Sequence, residues 1–158
     1  MLRSYKKKSE EEIHLTNEEN IKGVEKMDEE LVRKAKKARE RAYAPYSKFK
    51  VGAAVRTSDG QIFTGFNIEN SSYGVTICAE RVAFIRALVE GKRNISRIAV
   101  IADTEKPCPP CGVCRQFMAE FASDMEIIMA NLKGDTAIMN LETLLPLQST
   151  AEDLRNKT

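Results

Sequence analysis

Two short stretches concentrate the residue types that can do chemistry: Cys78-Ala79-Glu80 and Pro110-Cys111-Gly112-Val113-Cys114. Residues three apart on a helix share a face, so Cys111 and Cys114 can turn both sulfurs toward one ion while Cys78 approaches from a second helix. Three protein sulfurs on zinc leave the fourth tetrahedral position to water, the mark of a catalytic rather than a structural site. Zinc lowers the pKa of such a water from about 16 toward about 7, which supplies hydroxide at neutral pH. Three thiolates on one dication form a net negative cluster that weakens this effect. The N-termini of both helices, and Arg81 and Arg115 beside the ligands, are placed to offset it. Glu80, two residues after Cys78, can reach that water without being a ligand and can move its protons.

The remaining chemistry-bearing residues narrow the choice. Cys108-Pro109-Pro110-Cys111 is a second Cys-x-x-Cys, and four sulfurs on one zinc would make a closed, structural site. Pro109 and Pro110 hold Cys108 outside the helix, so it is read as a free thiol in a loop. His14 is the single histidine, which excludes a His-rich metal site and argues against a Ser-His or Cys-His pair.

The frame that carries these residues is one domain. The chain has 158 residues, 25 Lys+Arg against 23 Asp+Glu for a net charge of +2, and 42% apolar residues, enough to bury a core. No run approaches the roughly 18 apolar residues of a membrane span. The near-zero charge argues against a nucleic-acid partner, which clustered Lys and Arg would hold. Residues 1–27 balance six basic against six acidic side chains with almost no hydrophobic periodicity and no leader pattern. They read as a mobile, solvated extension, and the cysteines as thiols of a reducing cytosol rather than disulfides.

From Asp28 the spacing of Leu31, Ala35, Ala38 and Ala42 predicts a helix that stops before Pro45. Strands follow at 49–55 and 61–68, joined at Ser58-Asp59-Gly60. Residues 78–90 are apolar around so much of the circumference that a central, buried helix is expected, closed by Gly91. A strand at 98–102, a proline-stiffened loop at 103–110, a helix at 111–122 and strands at 126–130 and 136–139 complete the catalytic frame, 28–146. The order α-β-β-α-β-α-β-β implies an α/β fold with one mixed five-stranded sheet and helices packed on it. The polar tail, 147–158, is expected to fray.

The chain resembles the short, single-domain cytidine deaminases that act on free nucleosides. The matching stretches are Tyr43-Ala44-Pro45-Tyr46-Ser47, Phe49-Lys50-Val51-Gly52-Ala53-Ala54, Asn67-Ile68-Glu69-Asn70, Cys78-Ala79-Glu80-Arg81 and Pro110-Cys111-Gly112-Val113-Cys114-Arg115-Gln116. Cys78 stands where the general zinc-deaminase signature writes histidine. The resemblance implies a three-layer fold and one Zn2+ per chain, held by Cys78, Cys111 and Cys114. It implies hydrolytic deamination of cytidine and deoxycytidine at C4 by zinc-bound hydroxide, with Glu80 as proton shuttle, in cytoplasmic pyrimidine salvage. By position, Asn67 and Glu69 hydrogen-bond the ribose hydroxyl, Phe49 packs against the pyrimidine, and the Ala79 backbone helps read the base. Tyr73 matches a position that reaches a neighbouring subunit's site in a homotetramer. One departure stands out: Leu144-Leu145-Pro146 continues as Leu147-Gln148-Ser149-Thr150, where family members often carry an aromatic that closes over the base. That contact is either absent or filled by Leu147.

Two other readings keep the same metal site. Blasticidin-type aminonucleoside deaminases share Cys-Ala-Glu and Pro-Cys-Gly-x-Cys-Arg-Gln, but Asn67-x-Glu69 disfavours that substrate. A zinc-stabilised module that binds nucleoside without turning it over is the reading from another class. Polynucleotide editing lacks the aromatic-basic groove it would need.

Overall fold

The computed structural model describes residues 26–122, 124–150, 153 and 155; the expected extension, 1–27, lies almost wholly outside them. Helix α1, Lys26–Arg39, carries Asp28 and Glu29 in its first turn and Lys36, Lys37 and Arg39 in its last, each complementing the helix dipole. Its apolar stripe, Leu31, Ala35 and Ala38, is buried. Strands β1, Val51–Thr57, and β2, Ile62–Phe66, form an antiparallel hairpin whose turn uses Gly60 at φ 86°. Helix α2, Ala79–Val89, leads to β3, Ile95–Ala102. Helix α3, Gly112–Ala119, then crosses over to β4, Glu126–Asn131, which turns into β5, Thr136–Asn140, and a short helix α4, Leu141–Leu144.

The five strands lie in the order β2-β1-β3-β4-β5. All neighbours are antiparallel except β3 and β4, the pair that α3 bridges. Side chains alternate across the central strands. Ala53, Val55, Ile98, Val100, Ile127 and Met129 share one core with Phe84 of α2 and Met118 of α3. Ala54, Ala99, Ile101, Ile128 and Ala130 share another with Leu31 and Ala35 of α1. The sheet is therefore the middle of three layers, as the resemblance implies. Arg97 of β3 ties α1 to the sheet, donating through Nη1 to the buried Asp28 carboxylate at 2.5 Å and through Nη2 to Glu126 of β4 at 2.6 Å.

Four local readings change. Phe49 lies before β1 rather than within it, because Lys48 takes φ 59° and breaks the extended run. Strand β3 starts at Ile95, since its pairing with β1 reaches Thr57. Helix α2 is not buried all round: Ala83, Phe84 and Ala87 face the core, while Ile85 and Val89 face outward, Val89 at 77% exposure. Nothing within one chain covers that outer stripe among the described residues. The tail, finally, is tied where it leaves the domain, because the Gln116 side chain bonds both the Ser149 carbonyl, at 2.8 Å, and its amide, at 3.2 Å. No helix among the described residues is long and apolar enough to cross a membrane.

Candidate active site

Cys78 is the N-cap of α2 and Cys111 the N-cap of α3, both extended, and neither sulfur caps its own helix. Cys114 sits on the first turn of α3 and is buried. The three sulfurs lie within 4.8 Å of one another, with Cys78 Sγ and Cys111 Sγ 3.9 Å apart. Two helix N-termini thus converge on one cluster, and their unpaired amides and positive dipole ends favour thiolate there.

Each helix is brought to the cluster by a specific contact. A Cβ at Gly65 would stand 2.4 Å from the Ala79 carbonyl oxygen and 2.5 Å from the Ala83 nitrogen. The first turn of α2 therefore rests directly on β2, and only glycine leaves room. The start of α3 is fixed through the loop before it: the Cys108 amide bonds the Ala130 carbonyl at 3.1 Å, and Asn131 Nδ2 bonds the Glu105 carbonyl at 3.0 Å. Arg115 clamps the same loop, with Nε on the Pro110 carbonyl at 2.8 Å and Nη1 on the Leu144 carbonyl at 2.9 Å. Its guanidinium thus holds backbone, whereas Arg81 Nη2 lies 3.9 Å from Cys78 Sγ while bonding the Thr76 carbonyl at 2.8 Å.

The donor set fits zinc. Thiolates at about 2.3 Å from a tetrahedral zinc sit about 3.8 Å apart, close to the Cys78–Cys111 separation. The Cys114 thiol and the Arg81 guanidinium hold Cys78 down to about 5, against its burial. Cys114 is driven upward by the Cys78 thiolate it bonds and by burial. Three thiolates this close repel one another, and a dication among them would offset that repulsion. Cys108 stands outside it, its sulfur 3.8 Å from the Pro109 carbonyl, and burial pushes its thiol up to about 11.

Glu80, on the first turn of α2, is 4% exposed. Burial raises its carboxyl to about 7, and the charge of the neighbouring Cys78 thiolate adds to the rise; its own amide and the Cys114 thiol pull the other way. A carboxyl that titrates near neutrality beside a metal cluster can both take and give a proton.

A second group forms the neighbouring wall. Ile68 and Ile77 pair in antiparallel fashion, which brings the segment carrying Asn67 and Glu69 beside the one that leads into Cys78. The Asn67 amide is engaged with backbone: Nδ2 bonds the Phe49 carbonyl and Oδ1 accepts from the Val51 amide, each at 2.8 Å. Glu69 Oε2 accepts from the amides of Tyr46, at 2.9 Å, and Ser47, at 3.2 Å, while Oε1 accepts from the Ser47 hydroxyl. The Ser47 hydroxyl and then these amides hold the Glu69 carboxyl below its ordinary value. A cleft of about 430 Å³ opens beside it, lined by Tyr46, Ser47, Glu69, Asn70, Tyr73 and Thr76.

Phe49 is 43% exposed, and Tyr73, 77% exposed, meets Tyr46 edge-on at 6.3 Å. Leu147 projects at 78% exposure. Ala79 is fully buried, its carbonyl against Gly65, and its amide is one of the first-turn groups without an intrahelical acceptor. Gly65 and Ser47 are contributors that the residue reading passes over. A glycine inside a strand pattern is the available signal for the first, and Ser-x-Phe ahead of a strand is a faint one for the second.

Residues 25–130 match the family described as the cytidine and deoxycytidylate deaminase zinc-binding region. The chain is 50% identical over 127 residues to a cytidine deaminase of Halalkalibacterium halodurans, covering 80% of this chain and 96% of that one. It is 30% identical over 112 residues to a blasticidin-S deaminase of Bacillus cereus, covering 66% of this chain and 79% of the relative. The crystal structure of cytidine deaminase from Burkholderia pseudomallei superposes with a TM-score of 0.75 at 47% identity, covering 77% of this chain and 98% of that one.

Proposed function

This chain belongs to the cytidine and deoxycytidylate deaminase zinc-binding family, and from that premise we propose that it hydrolyses cytidine and deoxycytidine to uridine and deoxyuridine with release of ammonia. The observation that carries the reading is the buried Glu80 carboxyl, poised at about 7, on the helix turn that follows a three-sulfur cluster. Cys78, Cys111 and Cys114 hold the zinc, which when bound acts as a Lewis acid that acidifies water at the site. Glu80 then moves the protons. As the water oxygen bonds to C4, Glu80 carries one of its protons to ring N3 and the other to the 4-amino nitrogen. The C4–N bond breaks, ammonia leaves neutral, and a carbonyl remains at C4. Arg81 beside Cys78 draws charge off that sulfur. Arg115 supports the same centre by holding the loop that delivers Cys111.

Asn67 and Glu69 hold the ribose hydroxyl, Phe49 packs on the pyrimidine, and the Ala79 amide reads the base. Each side chain retains capacity for this: Asn67 has a second amide proton and a second lone pair beyond its backbone bonds. The assembly we propose is a homotetramer in which Tyr73 reaches a neighbouring copy's site. The exposed stripe of Ile85 and Val89 and the exposed Tyr73 and Val75 support it, since apolar surface of this kind marks contact with another chain. Leu147, exposed just after Leu144-Leu145-Pro146, is the residue available where other family members carry an aromatic that closes over the base; that contact is either absent here or filled by Leu147. We place the reaction in cytoplasmic pyrimidine salvage, with free nucleoside as partner and neither nucleic acid nor membrane.

The similarity to blasticidin-S deaminase gives the second reading a basis. A panel of cytidine, deoxycytidine, cytosine, CMP and blasticidin S, with product detection, separates them. Turnover of cytidine and deoxycytidine is expected. Turnover of blasticidin S alone supports the alternative, and binding of nucleoside without product supports the non-catalytic module.

A further inference from the structure

Both proposed sugar-holding residues also grip the backbone of Phe49, one at its carbonyl and the other, through Ser47, at its amide. Asn67 does so directly, with Nδ2 on the Phe49 carbonyl at 2.8 Å. Glu69 does so through an intermediary: Ser47 Oγ bonds Glu69 Oε1 and, at 2.9 Å, the Phe49 amide nitrogen. The proton positions in this chain are forced. An ionised carboxylate only accepts and a backbone N–H only donates. The single hydroxyl hydrogen of Ser47 therefore goes to Glu69, and a lone pair of the same oxygen takes the Phe49 proton. Lys48, between them, sits at φ 59°, a conformation that side chains other than glycine avoid unless their neighbours fix it.

We infer that Ser47 is a positioning residue for this reaction, whose hydroxyl couples the carboxylate that holds the sugar to the ring that packs on the base. It rests on the reading that Glu69 and Phe49 contact the nucleoside. Ser47 touches neither the reacting atoms nor the metal ligands; it sets the distance between two substrate contacts so that one nucleoside satisfies both. This takes a hydroxyl, which donates and accepts from one atom, on a side chain short enough to reach the amide two residues on, as serine and threonine are. Ser47 is exposed, and its amide and that of Tyr46 continue to bond Glu69 Oε2 when the hydroxyl is removed, so Ser47→Ala folds.

The test is steady-state deamination of cytidine by the zinc-loaded full chain and its Ser47→Ala, Ser47→Thr, Glu69→Ala and Ser47→Ala/Glu69→Ala variants. Ordering one freed side chain on binding corresponds to a roughly two- to ten-fold rise in KM. That rise is expected for Ser47→Ala, with kcat within about two-fold because the contact is equal in ground and transition states. Ser47→Thr restores KM, and in the Glu69→Ala background Ser47→Ala adds less than its own factor, because the two act through one contact. Equal impairment of the alanine and threonine variants, additive effects, or an unchanged KM in Ser47→Ala while Glu69→Ala raises it, overturns the role of Ser47. An unchanged KM in Glu69→Ala overturns the sugar-holding reading itself and the coupling with it.

Discussion

Burial acts in one direction on the ionisable groups of the centre, against their charged forms, with two different consequences. At Glu80 it raises the carboxyl toward neutrality, so that the proton needed by the leaving amino group is neither too tightly nor too loosely held. At the sulfurs it opposes ionisation that Arg81 and the helix N-termini favour, and a dication settles the contest. Glu80→Gln therefore keeps its zinc and loses about 10²- to 10⁴-fold in kcat, read from metal analysis beside initial rates. Cys78→Ala loses zinc and activity together. Cys108→Ser retains one zinc per chain, because that sulfur lies outside the cluster; metal loss in this variant would restore the closed four-sulfur alternative. The clustering of Cys78, Cys111 and Cys114 was legible in the sequence because metal chemistry demands particular residue types at particular offsets. The engagement of Asn67, Glu69 and Ser47 with backbone was not, since hydrogen bonds between residues about twenty apart depend on a loop path that no periodicity encodes.

Among the elements, two helices are held by close approach rather than by bulk: α2, which delivers Cys78, and α1 on the opposite face of the sheet. Gly65 allows α2 to rest on β2, and Gly52 allows α1 to rest on β1, where a Cβ would stand 2.1 Å from the Ala35 carbonyl. Alanine at either position forces a helix outward and costs about 1–3 kcal/mol, read by thermal or denaturant unfolding. The consequences diverge at the metal. Gly65→Ala displaces the turn that carries Cys78 and Glu80, so zinc affinity falls with stability, whereas Gly52→Ala destabilises and leaves zinc content intact. Most elements were visible as periodicity: α1 from its alanine stripe, the hairpin from Ser58-Asp59-Gly60, and β3 and β4 from short apolar runs. Helix α4, with four residues, is too short to leave a periodic signature. The start of β1 was displaced by the left-handed Lys48, a conformation its residue type does not announce.

For the molecule as a whole, a central sheet lies between α1 and the α2–α3 layer, and the three-sulfur cluster forms where α2 and α3 begin. The all-round apolar character of α2 suggested burial, and a single chain buries only half of it. In the homotetramer we propose, a second copy covers Ile85 and Val89. Light scattering is expected to give about four times the 17.7 kDa chain mass, and Val89→Glu to lower it. A near-zero net charge suits an uncharged nucleoside better than a nucleotide or a polynucleotide. The most direct measurement is the simultaneous yield of uridine and ammonia from cytidine by the zinc-loaded chain. Equal molar amounts are expected, and neither product from Glu80→Gln at the same zinc content beyond its residual rate. No uridine from a fully zinc-loaded chain, or wild-type turnover by Glu80→Gln, would contradict the deaminase mechanism.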